Sequence, residues 1–200
     1  MTKIKMCGMM NTSDVIAVKE LKVDYAGFIL SQGFKRSISY NTFDVLLGYL
    51  ADTNIKKVGV FVNESIDLIL NRYSDKIDII QLHGSEDDIY IEKLKSAVNK
   101  PIIKAFKIKT EDDVKAAQRS KADMILLDSG VGSGKLFDHG LLDTIQRDYF
   151  LAGGLDAENI GDILNKLSPY AVDVSSGIET NGKKDIIKMK AFANAVRRKT

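Results

Sequence analysis

Eight times along its length this chain passes from a short β-rich apolar run into an amphipathic segment. No other feature constrains the fold as strongly. Apolar runs bounded by turn residues predict strands over 3–7, 24–30, 56–61, 77–82, 101–106, 123–127, 149–152 and 170–174. The segments between them predict helices over 13–21, 41–51, 65–73, 87–97, 111–120, 140–146, 156–166 and 185–197. Ser65, Ser85, Thr110 and Asp156 stand where helix N-caps belong. A strand, a helix and a second strand in succession pair in parallel through a right-handed crossover. Eight such units close into a single-domain (β/α)₈ TIM barrel, an α/β fold. The rival is an open doubly wound sheet, whose phosphate signature is a Gly-rich turn after the first strand. Met6-Cys7-Gly8-Met9-Met10 stands there instead.

The length of 200 residues suits one domain over 1–200, at the lower end for such a barrel. There are only two prolines, Pro101 and Pro169, and no linker-like stretch. Hydrophobic residues at 44% and charged residues at 28% imply a soluble globular chain. A net charge of +2 is too small to argue for nucleic acid or an acidic membrane as partner. The dense basic cluster Arg197-Arg198-Lys199 suits a helix C-terminus, where cations are favourable. The single cysteine, Cys7, excludes an internal disulfide and fits a reducing compartment. Met1-Thr2-Lys3-Ile4-Lys5 leads into a strand without an apolar signal region, and no apolar run approaches the ~18 residues of a membrane span. A cytoplasmic location is expected, as a monomer, with a homodimer as the alternative.

In such a barrel the reactive groups sit at the C-terminal ends of the strands. Here those ends carry Cys7-Gly8, Asn63, His83-Gly84, Lys107, Asp128-Ser129, Gly153-Gly154 and Asp173-Val174-Ser175-Ser176-Gly177, with Arg36 in the loop after the second strand. Each has a plain structural reading. A lone cysteine is usually a small buried hydrophobe, and a glycine pair can be only a tight turn. Their common address at one mouth favours a site. The loops after strands seven and eight often bind phosphate, so Gly153, Gly154, Ser175, Ser176 and Gly177 are candidates for it. Gly130-Val131-Gly132-Ser133-Gly134-Lys135 fails as a P-loop, because Ser129 takes the place of the first glycine and Leu136 follows the lysine. A mobile loop over the site fits those glycines better. With two histidines, His83 and His139, and no HxxxE or CxxC spacing, no metal site is expected.

The segments Lys5-Met6-Cys7-Gly8, Val58-Gly59-Val60-Phe61-Val62-Asn63 and Gln81-Leu82-His83-Gly84-Ser85-Glu86 resemble those of phosphoribosylanthranilate isomerases. So do Leu127-Asp128, Gly132-Ser133-Gly134-Lys135-Leu136-Phe137-Asp138 and Leu151-Ala152-Gly153-Gly154-Leu155. The strongest match is Val172-Asp173-Val174-Ser175-Ser176-Gly177-Ile178-Glu179, followed by Gly182-Lys183-Lys184-Asp185. Order and spacing agree along the whole chain. The chain departs at Met9-Met10, at His139 and in lacking Ser-Pro before Arg36.

The resemblance implies an Amadori rearrangement of N-(5-phosphoribosyl)anthranilate in tryptophan biosynthesis, without a cofactor. It implies Asp128 as general acid and Cys7 as general base. A protonated Asp128 can deliver a proton to the furanose oxygen, and a Cys7 thiolate can then take the C2 proton. Since a free thiol titrates near 8.5, the site is expected to favour the thiolate. Arg36, His83 and Asp173 join the substrate-binding set, Arg36 as a fork for the anthranilate carboxylate. Aminoimidazole carboxamide ribotide isomerase is the nearest rival, but that family uses aspartate where Cys7 stands. Indole-glycerol-phosphate synthase needs a lysine-rich catalytic set. A non-catalytic phosphate-binding module has no use for Cys7 and Asp128.

Overall fold

The computed structural model describes residues 1–128, 142 and 144–199. Eight parallel strands hydrogen-bond in sequence order and close on themselves. They are β1 (Lys3–Cys7), β2 (Tyr25–Ile29), β3 (Lys56–Phe61), β4 (Ile79–Leu82), β5 (Ile102–Lys107), β6 (Met124–Asp128), β7 (Tyr149–Ala152) and β8 (Ala171–Val174). Closure is made by β1 against β8, with Lys5 opposite Asp173. The expected barrel is therefore present.

Helices α1 (Thr12–Glu20), α2 (Tyr40–Gly48), α3 (Ile66–Arg72), α4 (Asp88–Ala97), α5 (Glu111–Arg119), α6 (Ile160–Leu164) and α7 (Ile186–Arg197) accompany the strands. Ser65 caps α3 and Thr110 forms a capping box with Asp113, as their positions predict. Two expected caps are corrected. Asp87, not Ser85, caps α4, accepting from the Tyr90 amide at 2.8 Å. Asp156 does not open a helix over 156–166: its carboxylate accepts the amides of Glu158 and Asn159, which makes a turn, and α6 starts only at Ile160. The glycine-rich segment 130–135, His139, and positions 140, 141 and 143 of the helix expected over 140–146 lie outside the described residues; the described positions of that segment, 142 and 144–146, form no α-helix.

Side chains alternate across a strand, so residue parity decides which face of the barrel each one meets. Ile4, Met6, Phe28, Phe61, Ile80, Ile102 and Val172 pack outward against helices in the larger apolar core. Tyr25, Val58, Ile79, Ile103, Leu126, Phe150 and Ala171 fill the interior. The floor of that interior is aromatic, with Phe150 edge-on to Tyr25 at 5.3 Å and tilted against Tyr170 at 5.7 Å. Above it the same parity brings in Lys5, Gln81 and Asp173, all buried. The interior thus changes from apolar to polar toward the C-terminal mouth. After β8 a short 3₁₀ turn (Ser176–Ile178) leads into a two-stranded hairpin, β9 (Glu179–Thr180) and β10 (Lys183–Lys184), which the apolar periodicity does not announce.

Candidate active site

The mouth of the barrel holds a cavity of about 710 Å³. Cys7, Arg36, His83, Asp128, Gly153, Gly154, Asp173, Ser175 and Ser176 line it, so the strand ends bring these candidates together. Gln81, Lys35 and Lys107 line it as well. Gly177 does not. A Cβ there would lie 1.9 Å from the Leu155 carbonyl oxygen, so this glycine lets the loop after β8 pack onto the loop after β7. Gly153 and Gly154 have φ of 97° and 61°, in the region that favours glycine, and they bring backbone to the cavity wall.

Lys5 is completely buried and donates to both oxygens of Asp173 at 2.9 Å. Burial pulls its pKa down, but Asp173 and Cys7 outweigh that and hold it above 10.5, so it stays an ammonium. Removing one partner of such a pair leaves a buried uncompensated charge, at a cost of about 3–5 kcal/mol. The Cys7 thiol is buried too. Burial pushes it up, the Lys5 ammonium draws it down, and the net shift is upward. The expectation that the site favours the thiolate is therefore corrected for the protein without substrate: burial outweighs Lys5, because a thiolate out of water loses its hydration.

Beside Cys7 lies a second charged cluster. Arg36 donates through Nε and Nη2 to the two oxygens of Glu179 at 2.5 and 2.8 Å. Lys184, whose side chain is fully covered, donates to Glu179 Oε1 at 2.8 Å and to the Ser175 carbonyl at 2.9 Å. Burial alone would raise the Glu179 carboxyl, but hydrogen bonds from Arg36 and Lys184 bring it down to about 2. A folded-state pKa below the usual 4.5 gives stability that is complete above that value and is lost as pH falls toward 2. Glu179→Gln is accordingly expected to flatten the fall in melting temperature between those two pH values, which thermal unfolding across that range measures.

His83 is held differently. Gln81 Nε2 lies 3.1 Å from its Nδ1. With the amide so placed, Nδ1 accepts and the ring proton sits on Nε2, which is 3.9 Å from Asp128 Oδ2. Burial lowers the His83 pKa below 6.5, with Asp128 opposing, so the ring is neutral at pH 7. The Oε1 atom of Gln81 is buried without a hydrogen-bond partner, an arrangement that a polar ligand group relieves. Outside the barrel wall, Lys104 donates to the Gly84 carbonyl at 2.7 Å and to Glu86 at 2.9 Å. Glu86 accepts the Asn63 and Gly84 amides at 2.7 and 2.9 Å, which fixes the loop that carries His83.

Sequence reasoning gave no role to Lys5, Gln81, Glu179 or Lys184. For Lys5 and Gln81 a signal existed: each lies two residues before an assigned side chain on the same strand face. Among the described residues no group of three His, Cys, Asp or Glu side chains is placed to hold a metal ion. Among them, too, no helix is long and apolar enough to cross a membrane.

Residues 4–195 match the family described as N-(5'phosphoribosyl)anthranilate (PRA) isomerase. The N-(5'-phosphoribosyl)anthranilate isomerase of Endomicrobium trichonymphae is 48% identical over 195 residues, covering 94% of this chain and 95% of that protein. Among solved structures, the phosphoribosyl anthranilate isomerase of Thermotoga maritima superposes with a TM-score of 0.90 at 34% identity, over 99% of this chain and 100% of that one. A phosphoribosyl anthranilate isomerase in complex with reduced 1-(o-carboxyphenylamino)-1-deoxyribulose 5-phosphate superposes with a TM-score of 0.88 at 32% identity, over 99% and 100% of the two chains.

Proposed function

The chain belongs to the N-(5'-phosphoribosyl)anthranilate isomerase family and is an isomerase of that kind; on that premise we propose that Asp128 and Cys7 carry its reaction by general acid–base catalysis. The substrate is N-(5'-phosphoribosyl)anthranilate and the product 1-(2-carboxyphenylamino)-1-deoxyribulose 5-phosphate, a step of tryptophan biosynthesis. The observation that carries the mechanistic reading is that Cys7 and Asp128 line one cavity whose wall also includes Gly153, Gly154, Ser175 and Ser176.

Asp128, as the carboxylic acid, gives its proton to the furanose ring oxygen as the C1–O bond opens. The C1 imine so formed acidifies the proton on C2. Cys7, as the thiolate, takes that proton and leaves an enolamine, and protonation at C1 gives the ketone. The neutral His83 presents Nε2–H beside Asp128 and binds a substrate oxygen. Buried Gln81 Oε1 and Asp173 accept from ribose hydroxyls, since both are acceptors on the cavity wall. Nε and Nη2 of Arg36 are engaged by Glu179, which aims the remaining Nη1 at the anthranilate carboxylate.

The phosphate sits at the loops after β7 and β8. Ser175 spends its hydroxyl on the Cys7 carbonyl at 3.0 Å, so backbone amides of Gly154, Ser175 and Ser176 are the main donors there. Gly154→Val places a Cβ on a backbone with φ of 61°. It is expected to raise KM about 10-fold or more with a smaller change in kcat, because a phosphate contact is lost in ground and transition states alike. Steady-state kinetics on the purified variant measures this, and an unchanged KM removes the phosphate assignment. We assign the whole chain, 1–200, to this one activity and place it in the cytoplasm.

A further inference from the structure

We propose that Lys5 is a positioning residue for proton abstraction: its ammonium, fixed between Asp173 and Cys7 inside the barrel, is the counter-charge that stabilises the Cys7 thiolate. This rests on the reading of Cys7 as the base. An ammonium has three donors and no acceptor. Two of them go to Asp173 Oδ1 and Oδ2 at 2.9 Å, and the Cys7 sulfur lies near enough to the same nitrogen for its charge to act on the thiol. Gly27 makes the room for this. A Cβ at Gly27 would lie 2.7 Å from Cys7 Sγ and 3.1 Å from Lys5 Nζ, so both atoms rest on the same stretch of bare backbone. Strand register enforces the arrangement, with Lys5 opposite Asp173 and Cys7 opposite Gly27.

A merely structural plug does not need these charges. A buried ion pair is often no more stabilising than apolar side chains of similar volume. The floor of this barrel is already filled in the apolar way by Phe150, Leu126 and Ile103. Among the described residues, Lys5, Asp173, Lys184 and Arg36 act on the thiol. Lys184 and Arg36 share the single carboxylate of Glu179, which offsets one of their two charges and leaves a cluster that also favours the thiolate. Against the fixed background of burial and of that cluster, the balance between Lys5 and Asp173 sets how readily the sulfur ionises. The thiol proton leaves to water through the open mouth, Lys5 keeps its three protons throughout, and the sulfur later receives the C2 proton.

The test uses the full chain with [¹³Cβ]cysteine, which gives one signal because Cys7 is the only cysteine. Its titration is followed by NMR in the wild type and in Lys5→Met, Asp173→Asn and the double variant. The pH profile of kcat/KM is recorded for each. Lys5→Met is expected to raise the thiol titration by about one to two pH units and Asp173→Asn to lower it. The double variant is expected to lie between those two, above the wild type. The acid limb of kcat/KM moves in step. A structural plug does not move the two single variants in opposite directions. If Lys5→Met does not fold, Asp173→Asn and the double variant decide alone. A thiol titration unmoved by Asp173→Asn, or an acid limb that stays put while the thiol moves, overturns the proposal. Loss of activity in Cys7→Ala together with an unmoved thiol discards Lys5 and keeps Cys7 as base, whereas an active Cys7→Ala discards the base itself.

Discussion

Asp128→Asn is expected to lose at least about 10²–10⁴-fold in kcat, the usual contribution of a general acid. Asparagine has the same shape, and the position is anchored through its backbone. Ile108 donates to the Asp128 carbonyl at 3.0 Å, and Asp128 pairs in register with Ala152. Neither contact depends on the carboxyl group, so strand and cavity survive the change. The amide cannot supply a carboxylic proton to the ring oxygen, and ring opening stalls. That loss corresponds to about 3–5 kcal/mol of transition-state stabilisation. Binding of substrate should change little, because phosphate and carboxylate are held elsewhere. Steady-state kinetics following the anthranilate fluorescence of the substrate checks both parts, and a fall in affinity with normal kcat would assign Asp128 to binding instead.

Cys7→Ala is expected to lose a similar factor, again on kcat more than on KM. The substitution removes Sγ alone. Ser175 is tied to the Cys7 carbonyl, which alanine retains, so the loop after β8 keeps its place and the phosphate site with it. Cys7→Ser is expected to be nearly as poor, because a hydroxyl ionises far less readily than a thiol and burial makes any anion at this position costly. If the serine variant works well while the alanine variant does not, the side chain acts as a hydrogen-bond partner and not as a base.

Much of this site was legible because strand parity and barrel topology are simple rules. Cys7, His83, Asp128 and Asp173 share inward parity at strand ends, and closure brings them to one cavity. The rest depends on contacts that no local pattern encodes. Arg36 finds Glu179 across 143 positions of sequence, through a hairpin whose strands are two residues each, too short to show a periodicity. Ser85 was a sound cap by residue type, but Asp87 stands one place before the first helical residue and takes the role. Gly177 looked like part of a phosphate loop, and only the packing of Leu155 against it reveals a close approach of two backbones. Lys5, in the middle of β1, has no local signal of its role beyond its parity, because β8 supplies its carboxylate from 168 positions away.

The division of labour between one acid and one base in a single cavity is tested most directly by measuring kcat for Asp128→Asn and Cys7→Ala side by side with the dissociation constant of a reduced, non-reacting product analogue. The expected result is a loss of at least about 10²-fold in kcat for each variant with analogue binding kept close to the wild-type value. Near-normal kcat in Cys7→Ala would contradict it and move the search for the base to His83.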